Sequence, residues 1–170
     1  EVRGEGYISG PITDTLGARL AFYGSTMRGW VTDIIPQSSP FAPTSAHLPR
    51  DRDWATRLTL KLDPGDRFNA KLKLAYERDN SSSTFENVQF VNCPLGSPQP
   101  LAFGAVDECK PNNKVSVGDL GPTFGAVNPR FGDGHNRQQT WQFVGSLEMN
   151  YKPADAIDLT SVTGVFQTHF

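Results

Sequence analysis

Two runs of strict alternation, joined by a tight turn, constrain this chain more than any other feature. They lie in Asp53–Arg78, DWATRLTLKLDPGDRFNAKLKLAYER. In the first run Trp54, Thr56, Leu58, Leu60 and Leu62 share one face, while Arg57, Thr59 and Lys61 share the other. In the second, Phe68, Ala70, Leu72, Leu74 and Tyr76 oppose Asn69, Lys71, Lys73 and Glu77. Side chains change face at every residue of a strand, so each run reads as a strand with one apolar and one polar face. Asp63-Pro64-Gly65-Asp66 supplies the turn chemistry: proline presets φ, glycine accepts positive φ, and the carboxylates bond local amides. The expectation is an antiparallel hairpin. Its strands run roughly 9–10 residues, enough to cross a bilayer at a tilt, against a mode of about 5–6 in soluble sheets. Trp54 and Tyr76 fall at one end and Phe68 at the other, as in the aromatic girdles of membrane barrels. A soluble sandwich hairpin also fits this stretch taken alone.

The rest of the chain repeats the pattern. Glu1–Ser9 reads as a weak strand, Gly10–Thr15 as a turn, and Leu16–Thr32 as a long strand ending near Trp30, a further girdle candidate. On that strand Leu16, Ala18, Leu20 and Phe22 form the apolar face, with Arg19, Tyr23 and Ser25 opposite. Thr140–Lys152 sets Trp141, Phe143, Leu147, Met149 and Tyr151 against Gln142, Ser146, Glu148, Asn150 and Lys152. Pro153–Ala156 turns the chain into a last strand, Ile157–Phe170. Two irregular stretches remain, about residues 33–52 and 79–138, rich in Pro, Ser, Gly and Asn and without periodicity. About sixty structureless residues sit badly inside a compact soluble domain but are ordinary in an external barrel loop. The connections therefore alternate short, long, short, long, short. Outer-membrane barrels have that alternation of periplasmic turns and extracellular loops.

Composition agrees with an all-β chain. With 16 basic and 18 acidic residues the net charge is −2, which leaves no basic footprint for nucleic acid. Aromatics at 11%, with 16 Gly and 13 Pro, favour strands and turns over helices. No apolar run approaches the roughly 18 residues of a transmembrane helix, a test that strand alternation escapes. The chain opens without an initiator Met, a charged n-region or an apolar h-region, and both ends fall inside apparent strands. It reads as an internal fragment of a larger protein, with Phe170 at a truncation point.

EGYISGPITDTLGARLAFYGSTMRGWV followed by DRDWATRLTLKLDPGDRFNAKLKLAYERDN resembles the early barrel strands of TonB-dependent outer-membrane receptors, as does LTSVTG at Leu159–Gly164. The resemblance covers all six proposed strands and lapses in the loops. It implies an antiparallel transmembrane β-barrel segment, about six strands of a barrel of roughly 22 whose lumen is closed by a plug. The plug and the remaining strands would lie outside these residues. It also implies a bacterial outer-membrane location and active uptake of a scarce solute: a siderophore, cobalamin, or a carbohydrate- or aromatic-derived nutrient. The implied partners are that solute, outer-membrane lipid, and an inner-membrane energy-coupling protein reached through the missing plug. A passive porin-like barrel and a soluble all-β binding module are the competing readings.

On the barrel reading Arg19, Arg57, Lys61, Lys71, Lys73, Glu77 and Glu148 point into a wet lumen, where charge is tolerated. They line it plainly, or they form a row of contacts for an anionic ligand or for the plug. His47, His135 and His169 share no metal-ligand spacing. Asp133-Gly134-His135-Asn136 lacks the alternating acidic positions and distal Glu of a calcium loop. No nucleophile–base constellation and no phosphate loop has a recognisable setting, so neither catalysis nor a cofactor is expected. Cys93 and Cys109 are the only cysteines and share the long second loop, an oxidising setting if that loop is external. They are expected to form a disulfide, with Cα atoms within about 7 Å.

Overall fold

The computed structural model describes residues 1–82, 89, 91–94, 108–116, 118–128 and 132–170. The described chain is mostly strand: β1 (Val2–Pro11), β2 (Leu16–Met27), β3 (Val31–Asp33), β4 (His47–Leu48), β5 (Asp51–Gly65), β6 (Phe68–Ser81), β7 (Lys114–Val115), β8 (Gln138–Ala154) and β9 (Ile157–His169). One short helix, α1 (Gly121–Val127), interrupts them. Two compact units result. One holds Val2–Ser25, Asp53–Asp79 and Gln139–Phe170, and the other holds Thr26–Arg52 and Asn80–Gln138.

The first unit is a six-stranded antiparallel sheet in the order β1-β2-β5-β6-β8-β9, so every strand pairs with its neighbour in the sheet's own sequence order. All six strands expected from alternation are present, and they are long: 10, 12, 15, 14, 17 and 13 residues. In an antiparallel meander successive connections alternate ends, so the three tight turns share one end and both long connections leave from the other. β8 and β9 pair from Trp141↔His169 to Tyr151↔Leu159, with an irregularity before Ala154↔Ile157. β1 and β9 are the sheet's edges.

Strand ends differ from expectation where neighbours extend the ladder. Asp63, Pro64 and Gly65 stay in β5, and the turn is Asp66-Arg67. The reason is the adjoining strands: Asp63 N donates to Thr15 O at 2.8 Å, and Lys152 N donates to Arg67 O at 2.8 Å. Likewise β8 runs on through Pro153 and Ala154, leaving Asp155-Ala156 as its turn. β1 runs on through Gly10 and Pro11, and Thr13 Oγ1 accepts from Thr15 N and Leu16 N to close the turn that follows. The long strand expected over Leu16–Thr32 divides. Gly29 takes φ +86 against the backbone of Leu48, where a Cβ would have no room, and the chain leaves the sheet there. Trp30 consequently belongs to the second unit, its N–H donating to Leu48 O at 3.0 Å, and is not a girdle residue of the sheet.

The second unit corrects the expectation of structureless loops. β4-β3-β7 form a three-stranded sheet, β3 antiparallel to β4 and parallel to β7. Val31, Ile35, Leu48 and Val115 are buried and make its core. Asp33 is buried with them, and its Oδ1 accepts Ile35 N at 2.7 Å. Cys93 and Cys109 are joined by a disulfide with Cα atoms 6.0 Å apart. α1 opens at Gly121, whose φ of +78 and contact with the Phe41 ring exclude a side chain.

Candidate functional site

The six-stranded sheet has two unlike faces. On the apolar face Phe22 and Leu20 are 60% and 46% exposed, and Ile8 on β1 is 73% exposed. Among the described residues, every buried apolar side chain lies in the other unit. Fully burying a side chain of this size contributes about 1.5–3 kcal/mol, so a row of them left open is a large unspent term.

One end of the same face carries an aromatic ladder across four adjacent strands. The rings of Trp54 and Tyr76 stand 5.2 Å apart, those of Tyr76 and Trp141 6.2 Å, and those of Trp141 and His169 5.8 Å. Trp54 is the fourth residue of β5, Tyr76 lies in the later part of β6, Trp141 is the fourth residue of β8, and His169 closes β9. The ladder therefore marks the end of the sheet from which the long connections leave. Sequence reasoning placed Trp54, Tyr76 and Trp141 on the apolar face; His169 joined it through the Trp141↔His169 register.

The opposite face cups a groove of about 750 Å³ with walls from β1, β2, β5, β6 and β8. Arg19, Arg57, Lys73 and Glu77 line it, together with Tyr7, Tyr23, Gln142 and Ser146. Lys61 and Lys71 follow on the same face by the two-residue period, as does Glu148 beside Ser146. All seven charged residues expected on this face are exposed. Two of its arginines rest on tyrosine rings: Arg19 lies 4.0 Å from the Tyr7 centroid and Arg3 4.9 Å from that of Tyr23. These contacts fix the guanidinium planes without consuming their hydrogen-bond donors. Lys61 pairs with Asp63 at 3.0 Å and Arg3 with Glu5 at 3.3 Å.

The second unit spends its polar groups internally. The buried Asp119 accepts from His135 Nδ1 at 2.6 Å and from Asn136 N at 2.9 Å. Asp133 accepts His135 N at 3.1 Å and pairs with Arg137 at 2.9 Å. The His135 amide, foremost, holds the Asp133 carboxyl below the ordinary aspartate range. The Asp133–Asn136 stretch is thus a turn bonded to itself and to Asp119, and no cluster of metal-binding side chains occurs among the described residues. Glu108 binds Lys114 Nζ at 3.1 Å, and that hydrogen bond and charge lower its carboxyl below the ordinary glutamate range. Asn80 Nδ2 is bonded to Arg52 O and Ser81 Oγ to Asp51, so the Asn80-Ser81-Ser82 triplet closes the open end of the β5–β6 hairpin.

Comparison with family models, characterised proteins and solved structures finds no match.

Proposed function

We propose that this chain is part of an outer-membrane β-barrel of the TonB-dependent receptor kind, taking up a scarce solute under energy coupling. One observation carries the membrane part of the reading: a sheet that, among the described residues, buries no apolar side chain, leaves Ile8, Leu20 and Phe22 exposed on its apolar face, and is crossed at one end of that face by an aromatic ladder. Lipid is the medium that satisfies such a face, and interfacial aromatics are the side chains that suit its border. Strand length supports it. Fifteen residues of β5 span roughly 50 Å along the strand, ample for a hydrocarbon band of about 25 Å crossed at a tilt. The open edges of β1 and β9 are compatible with it, since further barrel strands could pair there. Energy coupling and solute uptake rest on the resemblance of the strand sequences. The long connections, with their own core and disulfide, are suited to an external position.

A soluble all-β module would have to hide the apolar face against a second layer. A passive porin-like barrel would share the sheet but not the coupling. The test uses the full-length protein in a Gram-negative host. It should fractionate with the outer membrane and migrate differently in SDS gels before and after boiling. Uptake of its solute should cease in cells lacking the energy-coupling protein. Recovery in the soluble fraction overturns the membrane reading; uptake that survives loss of coupling assigns a passive barrel instead.

A further inference from the structure

We propose that the groove side of β2, β5 and β6 binds a small solute bearing several carboxylate or phosphate groups, with Arg19, Arg57 and Lys73 as its cations. This rests on the outer-membrane reading and names the solute class that reading leaves open. Cross-strand hydrogen bonds bring the three together. Asp63 N to Thr15 O and Ser25 Oγ to Asp53 Oδ2 set β2 against β5 so that Arg19 stands across from Thr59. Ser82 N to Arg50 O and Ser81 Oγ to Asp51 Oδ1 set β5 against β6 so that Lys73 stands on the other side of Thr59. Arg57 lies two residues along, diagonal to both. Diagonal residues on one face are about 7–8 Å apart at Cβ, which sets Arg57 near each of the others, while Arg19 and Lys73 stand two strands, about 10 Å, apart; the three long side chains can reach one volume between them.

Their charge is unspent. Three other cations of the sheet have partners, Arg3 with Glu5, Lys61 with Asp63, and Lys152 with Asp158, whereas Lys71 and Arg78 form no ion pair among the described residues. Among the described residues Arg57 and Lys73 form no ion pair, and Arg19 is held by the Tyr7 ring rather than by a carboxylate. Against these three cations the groove wall sets Glu5, already bound to Arg3, and Glu77. The groove, about 750 Å³, is of the size that takes a small molecule. It lies in the half of the sheet toward the long connections, the side from which an external solute would arrive.

The experiment titrates the full-length protein, in detergent micelles at low salt, with trimesate, a rigid tricarboxylate, and with trimesamide, its neutral isostere. Trimesate should bind saturably and weaken as salt is raised, and trimesamide should not bind. The R57Q/K73Q double variant should weaken trimesate at least about tenfold, as expected for removing two close charges. R57K should retain most of the affinity. K152Q, at the turn end and paired with Asp158, should leave it unchanged. Absence of saturable trimesate binding, equal binding of trimesamide, or an equal loss in K152Q would overturn the site. Heat-dependent gel migration of the same samples separates the two claims. A preparation that migrates as a folded barrel yet ignores trimesate sinks the site alone, and one whose migration does not change with heating sinks the reading beneath it.

Discussion

The two units solve the same problem, what to do with apolar side chains, in opposite ways. The connection unit has strands of two or three residues yet buries Val31, Ile35, Leu48 and Val115 almost completely. The six-stranded sheet has strands of up to 17 residues and leaves Leu20, Phe22 and Ile8 open. A small region with its own core and a disulfide can be stable in water. A long sheet with no buried apolar side chain among the described residues draws its stability from backbone ladders and from whatever apolar medium meets its face. Length of regular structure and possession of a core are therefore independent properties, and their separation here is what supports a membrane setting for the sheet.

The largest expected effect breaks the connection unit alone. Leu48→Ala should cost about 2–5 kcal/mol, because the site is enclosed and cannot collapse freely. Amide exchange should accelerate at Trp30, Thr32, Asp33 and Ile34, whose N–H groups bond Leu48, Asn113, Ala46 and Val115 carbonyls. Protection across β5 and β6 should stay as it was; loss there as well would mean that the two regions share one core.

On the sheet, Leu60→Arg or Leu72→Arg should cost roughly 2–4 kcal/mol near a bilayer midplane. Lys61→Gln and Lys71→Gln should change little. The readout is the denaturant midpoint of refolding into lipid vesicles, and equal responses on both faces would refute the assigned facing.

Reducing Cys93–Cys109 should loosen the connection unit by about 3 kcal/mol on chain-entropy grounds. The enclosed proline Pro94 already restricts the reduced chain, which lowers the gain; Pro98 and Pro100 lie outside the described residues. Exchange at Lys114 and Val115 should report the change, and the sheet should not.

The smallest effect is a pH dependence. The folded-state carboxyl of Glu108 is depressed, by Lys114 foremost. Its contribution is therefore present above the unfolded glutamate value, about 4.3, and lost as pH falls through the lower folded value. Glu108→Gln should remove that acid dependence from exchange near Asn112–Lys114, and a persisting dependence would assign it to another group.

The contrast also explains what the sequence disclosed. The six strands were legible because each is long enough for period-two alternation to show, and because Trp54, Tyr76 and Trp141 fall on the matching faces. Their ends were less so. Nothing local in Asp63-Pro64-Gly65 reveals that Thr15, just before β2, will hold Asp63 in the ladder. The connection unit was illegible for a different reason. Strands of two or three residues carry no period, and its core joins Val31 to Val115 across most of the chain between. Gly29, read as part of a strand, was the one local sign that the chain turns away. On the groove side, the alternation placed Arg19, Arg57 and Lys73 on one face, but only the register brings them around Thr59.

The most direct measurement places single nitroxide labels at Leu60, Leu72, Lys61 and Lys71 of the full-length protein in lipid bilayers. Collision rates with oxygen and with a water-soluble nickel chelate are then compared. The apolar-face labels should meet oxygen readily and the nickel complex rarely, and the polar-face labels the reverse. Ready access of the nickel complex to Leu60 and Leu72 would contradict a lipid-facing sheet.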